Sequence, residues 1–366
     1  MGIEFNPIGF WSKFSSEEPE HEDKLWFVDR ENTENPLSKF VGNDAVVKKL
    51  QVVAFNAFGK IDHNCAGINF AVFGLPSTGK TTLVKMFAKL VDIPYCEISP
   101  KSISNLTNLK DVILSSISSH VSESHQMVGL KETDSNVSKF PPCIVFIDEV
   151  HALSDYLVNG VLKATEHNDA TLVTESGEVF DCKNVCWFIG TTEEGKLFDA
   201  FRSRFSPLHL VYLTKKEISK IIKISHDDLS ENVCDSIAFY NSRLPRKALE
   251  FARYLKLKRN MDVDKSFDEL CLEIASEDGV DEHGMHKTHL EILKAIKDLP
   301  VAKNRLASVV DKKIDELENY IMPVLLSSTK DQGNLVRVTN KGYAITTDGL
   351  LELKKRGISY EHRSDT

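Results

Sequence analysis

The sequence predicts an α/β protein in which a parallel sheet covered by helices is followed by an α-helical lid and a C-terminal winged-helix unit. Short, continuously apolar runs alternate with helical patterns between residues 37 and 213, which is typical of a parallel sheet buried on both faces. Residues 214–280 are dominated by helical patterns. Residues 285–357 contain three helical patterns and then two short strand patterns, the order found in a winged helix.

Composition sets broad limits on the class of protein. The chain has 366 residues, of which 42% are hydrophobic, and this is enough for two or three separate cores. It lacks an apolar run of about eighteen residues, so we expect no transmembrane helix, and its first residues do not have the pattern of a secretory signal. Its seven cysteines are scattered and odd in number, which favours reduced thiols in a cytoplasmic protein.

The distribution of charge is uneven along the chain. The formal net charge of −9 argues against a protein that coats nucleic acid non-specifically. Residues 1–36 are polar and acidic and predict a poorly ordered N-terminal extension. Residues 287–366 carry an excess of basic side chains. A basic end on an acidic body is compatible with a local anionic partner.

The predicted sheet can be followed strand by strand. Apolar runs at 69–74, 143–149 and 185–192 predict central strands, and the helical pattern at 81–90 follows the first of them. Between residues 115 and 140 the sequence is polar and aperiodic, which predicts an exposed insertion. A separate Ser-Gly turn between two β-prone segments predicts a hairpin over residues 171–183.

The segment GLPSTGKTT directly after the first predicted strand fits the phosphate-binding pattern G-x-x-x-x-G-K-[ST]. Glycine allows backbone N–H groups to approach phosphates closely, and the following helix N-terminus favours negative charge. Lysine reaches the β- and γ-phosphates of ATP, and the threonine hydroxyl can ligate Mg²⁺. The candidate nucleotide-binding residues here are Gly74, Pro76, Ser77, Thr78, Gly79, Lys80, Thr81 and Thr82.

Two adjacent carboxylates end the second central strand. Asp148 is the expected carboxylate on the Mg²⁺ side, together with Thr81, and Glu149 is the candidate residue that polarises the attacking water. Two neighbouring charges at the end of a buried strand have no packing rationale. The sequence therefore predicts a protein that binds ATP and Mg²⁺ and hydrolyses the nucleotide.

The third central strand ends in two threonines. Ligands of open α/β sheets bind outside the carboxyl ends of the strands, so Thr191 or Thr192 would lie near the γ-phosphate. Either hydroxyl could orient the attacking water, although threonine is also an ordinary strand residue. His151, just after the carboxylates, relays the state of the nucleotide or only makes a local hydrogen bond.

The order of these motifs resembles that of the AAA+ ATPases. The segments GLPSTGKTT, FIDEVHAL, IGTT, FRSRF and LPRKALEF follow one another as in that superfamily. The blocks FIGTTEEGKLFDAFRSRF and LVRVTNKGYAITTDGLLEL look more specifically like the RuvB family, which drives branch migration of Holliday junctions. The resemblance covers roughly residues 37–357.

This resemblance implies a homo-hexameric ring on duplex DNA or a four-way junction, acting in DNA recombination or repair. It implies that Arg204 is an arginine finger, with Arg202 a weaker candidate, and that Arg246 reports the γ-phosphate to the lid. It places Arg337 and Lys341 where the winged helix approaches DNA.

The same resemblance implies that the hairpin at 171–183 docks a RuvA-like partner. Two other functions remain open at this point. One is a DNA-replication loader or initiator that acts as a switch. The other is a regulatory P-loop ATPase whose winged helix is purely structural.

Overall fold

A five-stranded parallel sheet forms the centre of the first half of the chain. The computed structural model describes residues 35–58, 68–124, 138–241, 244–326 and 333–358. The strands of the sheet lie side by side in the order β2-β4-β7-β1-β8, with a short β3 elsewhere. Their bounds are β1 Phe70–Phe73, β2 Tyr95–Ile98, β3 Ser138–Lys139, β4 Cys143–Ile147, β7 Val185–Thr191 and β8 Ser206–His209.

Helices cover both faces of this sheet, as the apolar strands predicted. On one face Phe70 and Val72 of β1 pack in a core with helices α1 (Asp44–Val53) and α2 (Lys80–Val91). On the other face the alternate residues Ala71 and Phe73 pack in a core with helices α3 (Leu106–Ser124) and α4 (Asp155–Ala164). Every side chain of the central strands β1, β4 and β7 is buried, which is why these strands read as continuous apolar runs.

The predicted hairpin is present as β5 (Thr171–Val173) and β6 (Val179–Asp181), which pair antiparallel. Strand β3 joins β6 on its other side. The prediction of an exposed insertion from residue 115 onward is wrong for its first part. Helix α3 continues to Ser124, and Ile117 on it is buried in the core. The hydroxyls of Ser118 and Ser119 donate hydrogen bonds to backbone carbonyls of the same helix. Because the helix satisfies these polar side chains itself, the polar composition does not indicate a loop.

After β8 the chain forms a helical unit with its own core. A short helix, α5 (Asp199–Arg204), precedes β8, and the unit itself begins at Thr214, which caps the next helix through a capping box with Glu217. Its four helices are α6 Lys215–Ser225, α7 Glu231–Tyr240, α8 Pro245–Met261 and α9 Phe267–Glu277.

The C-terminal unit consists of helices and an antiparallel pair of strands around a fourth core. An isolated bridge between Val301 and Tyr343 adds a third segment to the strand pair. Its elements are α10 Lys287–Ala295, α11 Lys303–Val309, α12 Ile314–Glu316, a π-helical turn Leu317–Ile321, α13 Met322–Leu326, β9 Val336–Thr339, β10 Gly342–Ile345 and α14 Thr347–Lys355. The predicted fold class is confirmed.

The acidic segment 276–284, just before this unit, is anchored by an ion pair. The side chain of Arg356 is only 6% exposed and donates to both carboxylate oxygens of Asp281. It also pairs with Glu352 on its own helix. A buried guanidinium needs such partners. The segment is therefore part of the C-terminal unit's packing.

Two predictions from the sequence concern residues outside the described ranges. These are most of the acidic N-terminal extension at 1–36, of which residues 1–34 are not described, and residues 125–137 of the expected insertion. Among the described residues, no helix is long and apolar enough to span a membrane.

Candidate nucleotide-binding site

The loop between β1 and α2 has the backbone geometry of a phosphate cradle. Ser77 and Gly79 have positive φ angles of 66° and 94°, which curl the backbone ahead of the helix. At Gly74 a Cβ atom would lie 2.6 Å from Oγ1 of Thr78, so a side chain has no room there. The Thr78 hydroxyl in turn donates to the carbonyl of Leu75 at 2.9 Å. The loop is thus held in shape by its own residues.

Lys80 begins helix α2 and turns its ammonium group back toward this loop. Its side chain is 7% exposed, and Nζ donates to the carbonyl oxygen of Gly74 at 2.8 Å. Burial lowers the pKa of Lys80, an effect that the nearby carboxylates of Glu149 and Asp148 oppose and the positive charge of Arg246 reinforces. A buried cation close to a second cation is a favourable place for a polyanion such as a triphosphate.

The carboxylates of the site follow β4, as predicted. Burial raises the pKa of Asp148, and the charge of Lys80 partly counteracts this. Glu149 has a left-handed backbone conformation with φ 52°, which is uncommon for a residue other than glycine and is often found at functional sites. Its Oε1 lies 3.8 Å from Nζ of Lys80.

The two threonines that end β7 have different surroundings. Thr192 donates to Oε2 of Glu149 from both its N–H and its hydroxyl, each at 3.1 Å. Thr191 is 1% exposed, and its Oγ1 lies 2.9 Å from Nδ1 of His151. Only Thr192 therefore contacts the candidate catalytic carboxylate.

Two residues next to the candidate site, Gly190 and Phe40, were not predicted from the sequence. At Gly190 a Cβ atom would lie 2.9 Å from Oδ1 of Asp148, so glycine lets β7 approach that carboxylate. The glycine of IGTT could have signalled this close approach, because glycine inside a strand often marks one. A second missed residue is Phe40, whose ring would lie 3.3 Å from a Cβ at Gly79.

The two arginines on α5 are both partly exposed and make different contacts. Arg202 donates to the backbone carbonyls of Glu194 and Leu197 and so braces the loop after β7. Arg204 is 32% exposed and is held less firmly, by the carbonyl of Ala200 at 3.2 Å and by Oε1 of Glu166 at 3.8 Å. Arg202 is the more exposed of the two, at 43%, but backbone carbonyls of two residues hold its guanidinium, whereas one holds that of Arg204.

The remaining predicted residues lie on three other elements. Arg246 lies in the first turn of α8 in the helical unit, with its charge close enough to affect Lys80. Arg337 on β9 and Lys341 in the following turn are both exposed at the tip of the strand pair in the C-terminal unit. Thr81 and Thr82 lie on the first turn of α2.

The residues present fit a nucleoside triphosphate with Mg²⁺. The loop from Gly74 to Gly79 offers backbone donors, and Lys80 offers a buried cation. The Thr81 hydroxyl and the Asp148 carboxylate are hard oxygen ligands of the kind that Mg²⁺ prefers.

The class of protein follows from this fold and site together with a family model. Residues 70–211 match the model described as the ATPase family associated with various cellular activities, AAA. The sheet, the phosphate loop and the carboxylates at the end of β4 all lie within this range. Over these residues the chain is similar to the AAA ATPases, and its parallel sheet has their fold.

Known RuvB proteins are similar over most of the chain. The Holliday junction branch migration complex subunit RuvB of Ehrlichia ruminantium (strain Gardel) is 23% identical over 342 residues, covering 88% of this chain and 92% of its own length. RuvB of Anaplasma marginale (strain Florida) is 24% identical over 333 residues, covering 86% and 89%. The prediction of a divergent AAA+ ATPase resembling RuvB is therefore confirmed.

A solved structure shows the same fold. The RuvB Holliday junction branch migration motor of Thermotoga maritima superposes with a TM-score of 0.65 at 21% sequence identity. The match covers 88% of this chain and 97% of that one. The likeness therefore extends through the helical unit and the C-terminal unit.

Proposed function

We propose that this chain is an ATP-driven DNA motor of the RuvB type, which moves duplex DNA to drive branch migration at four-way junctions. In the proposed domain organisation, residues 37–213 are the ATPase domain, 214–280 the lid and 285–357 a winged-helix DNA-binding domain. One observation carries the proposal: Lys80, the carboxylates after β4 and the lid residue Arg246 converge on one phosphate loop. In the proposal, Arg246 links the ATP site to the lid.

The chain's own residues account for the proposed hydrolysis. Lys80 and the loop N–H groups orient the phosphates, while bound Mg²⁺ neutralises charge on them. Glu149 accepts a proton from the attacking water, and Thr192 keeps that carboxylate at the mouth of the site. Arg246 transmits the presence of the γ-phosphate to the lid through the helix on which it lies.

A ring is the proposed assembly, as the resemblance to RuvB implies, and the partly exposed Arg204 supports it. We propose that Arg204 of one protomer completes the site of its neighbour in a homo-hexamer. The exposed Arg337 and Lys341 would contact DNA phosphates, which is the sequence-independent way of holding a duplex. The proposed location of this activity is the cytoplasm.

The proposal also includes docking of a RuvA-like partner at the hairpin. The hairpin tip is engaged within the chain: Oε1 and Oε2 of Glu175 accept hydrogen bonds from the N–H groups of Leu106 and Thr107, both at 2.9 Å. Val173 remains 42% exposed and offers a small apolar contact. A partner would therefore meet the side of the hairpin and not its tip.

The test is ATP hydrolysis and branch migration on a synthetic four-way junction, with and without a bacterial RuvA. We expect the junction to stimulate hydrolysis and the strands to exchange in an ATP-dependent manner. Hydrolysis without branch migration, together with loading of a clamp or helicase onto DNA, would instead assign the chain to the loaders. Electron microscopy should show six-membered rings on duplex DNA, and a stable monomer there would contradict the proposal.

A further inference from the structure

His151 lies at the junction of the two strand ends that form the candidate catalytic site, and none of the roles described above uses it. Its side chain is largely buried, and both ring nitrogens face polar groups. Nδ1 lies 2.9 Å from Oγ1 of Thr191 and 3.4 Å from Oε2 of Glu149. Nε2 lies 3.4 Å from Oε1 of Glu193. One ring thus touches residues before and after Thr192.

The hydrogen bonds around Thr191 define the arrangement of protons. The N–H of Glu193 donates to Oγ1 of Thr191 at 3.0 Å, so the hydroxyl proton of Thr191 is available for Nδ1 of His151. The carboxylate of Glu193 can only accept, so it favours a proton on Nε2. Oε2 of Glu149 lies equally close to Nδ1, but it already accepts two hydrogen bonds from Thr192, so we assign the ring proton to Nε2. In this tautomer Nδ1 presents a lone pair toward Glu149 and gives that carboxylate no hydrogen bond.

The turn that His151 holds is also the turn that positions Glu149. Thr192 donates two hydrogen bonds to Oε2 of Glu149, and it lies between Thr191 and Glu193, the two residues that His151 contacts. A shift of this turn would move the donors of Thr192 away from the carboxylate. The Thr191 hydroxyl is buried, so loss of the histidine would leave it without this partner and encourage such a shift.

We propose that His151 is a positioning residue, which fixes the 191–193 turn through its hydrogen bond with Thr191 and thereby sets where Thr192 holds Glu149. The inference rests on the proposed hydrolysis of ATP and deepens it. His151 itself does not contact the phosphate loop residues. It acts on the rate of the chemical step and leaves nucleotide binding to the loop and Lys80.

The experiment compares two conservative substitutions that each preserve one half of the histidine's contacts. His151→Asn places an amide near the position of Nδ1 and keeps a partner for Thr191. His151→Gln reaches the position of Nε2 and keeps a partner for Glu193. We expect His151→Asn to retain most of the wild-type kcat, and His151→Gln to lower kcat by roughly tenfold to a hundredfold, the range expected for a displaced catalytic group. KM and the Kd for ATP should change by less than about threefold in both, since neither contact involves the nucleotide.

Equal kcat values for the two variants would overturn the proposal, and so would a Gln variant with wild-type kcat. Thr191→Val should reproduce the loss seen in His151→Gln, and the double variant should lose no more than either single one, because both break the same link. Additive losses would overturn the proposal. His167→Asn, at an exposed histidine of the same domain, is the matched control and should leave kcat unchanged.

A spectroscopic measurement keeps this inference separate from the proposed function. The ¹⁵N shifts of the His151 ring, assigned by comparison with His151→Asn, should show the proton on Nε2 in the nucleotide-free protein. A proton on Nδ1 would overturn the positioning scheme whether or not the protein hydrolyses ATP. Absence of hydrolysis in the wild-type protein, with the expected tautomer present, would contradict the proposed function alone.

Discussion

Glu149 shows how a single carboxylate can be prepared for its role before any ligand binds. Its left-handed backbone directs the side chain between Lys80 and Thr192, and these neighbours contact different carboxylate oxygens. We expect Glu149→Gln to bind ATP normally but to lower kcat by at least about a hundredfold, because an amide cannot accept the proton of the attacking water. Steady-state hydrolysis and equilibrium ATP binding measure the two effects separately.

The matched control for this variant is Glu97→Gln. Glu97 lies at the end of the neighbouring strand β2 and makes an exposed ion pair with Lys85, which contributes little to stability. Its loss should leave kcat within about twofold of the wild-type value. A Glu149→Gln variant that hydrolyses ATP as fast as this control would remove Glu149 from the catalytic role.

At the same scale, the sequence predicted residues whose role depends on local pattern. Lys80 and Asp148 were identifiable because their position after an apolar strand is itself the signal. The difference between Thr191 and Thr192 was not, because it depends on His151, which comes from another strand end. Local periodicity does not predict a contact across the sheet between residues about forty positions apart.

At the scale of elements, the hairpin formed by β5 and β6 is tied to the start of helix α3 by one side chain. Glu175 accepts hydrogen bonds from the hydroxyl of Thr107, from the phenol of Tyr156 and from two backbone N–H groups at the helix start. The hydrogen bonds from Thr107 and Tyr156 hold the pKa of Glu175 well below its ordinary value. The carboxylate therefore satisfies the first two N–H groups of α3, and it adds to the cap of Asn105, whose Oδ1 accepts from the N–H of Asn108 at 2.8 Å.

This cap predicts a dependence of stability on acid. The folded-state pKa of Glu175 lies below its unfolded-state value, so its contribution is fully present above the unfolded pKa and is lost as the pH falls toward the folded one. We expect Glu175→Gln to lower the thermal midpoint at pH 7 and to show less further loss than the wild type on acidification below about pH 4.3. Thermal unfolding at a series of pH values measures both.

Glu178→Gln on the same hairpin is the control for the cap. Glu178 makes an exposed ion pair with Lys110 and has no role at a helix start. Its substitution should change the thermal midpoint at pH 7 much less than Glu175→Gln does, because exposed ion pairs are screened by solvent. Equal effects of the two substitutions would mean that the Glu175 carboxylate does not stabilise the start of α3.

At the scale of the whole molecule, the proposed contact between the C-terminal unit and DNA predicts how the affinity for DNA depends on salt. Arg337 is exposed on β9, opposite Ala344, and the turn after it carries Lys341. Arg337→Ala should weaken duplex binding and lessen the slope of log K against log salt by about one unit, as expected for the loss of one phosphate contact. Arg337→Lys keeps the charge and should keep the slope. An unchanged slope in the alanine variant would place DNA elsewhere on the molecule.

In the proposed ring, residues of two protomers form each active site, and substitution of Arg204 tests this arrangement. In the single chain Oε1 of Glu166, at 3.8 Å, and one backbone carbonyl hold its guanidinium. In the proposed ring, Arg204 reaches the phosphate loop of a neighbouring protomer. We expect Arg204→Ala to bind ATP but to lose hydrolysis, since such an arginine is worth roughly 10³–10⁵ in rate. Arg202→Ala, which removes a brace within the chain, should lose less activity.

Mixing two inactive variants distinguishes an arginine that acts between chains from one that acts within its own. A Lys80→Ala protomer cannot bind the phosphates but still carries Arg204, and an Arg204→Ala protomer still carries an intact phosphate loop. Wherever the first lies next to the second in the right order, the site between them has both groups, so mixed rings should recover hydrolysis that neither variant shows alone. If the rings mix, as labelled protomers can verify by energy transfer, and no activity returns, then Arg204 acts within its own chain and the proposed shared site is wrong.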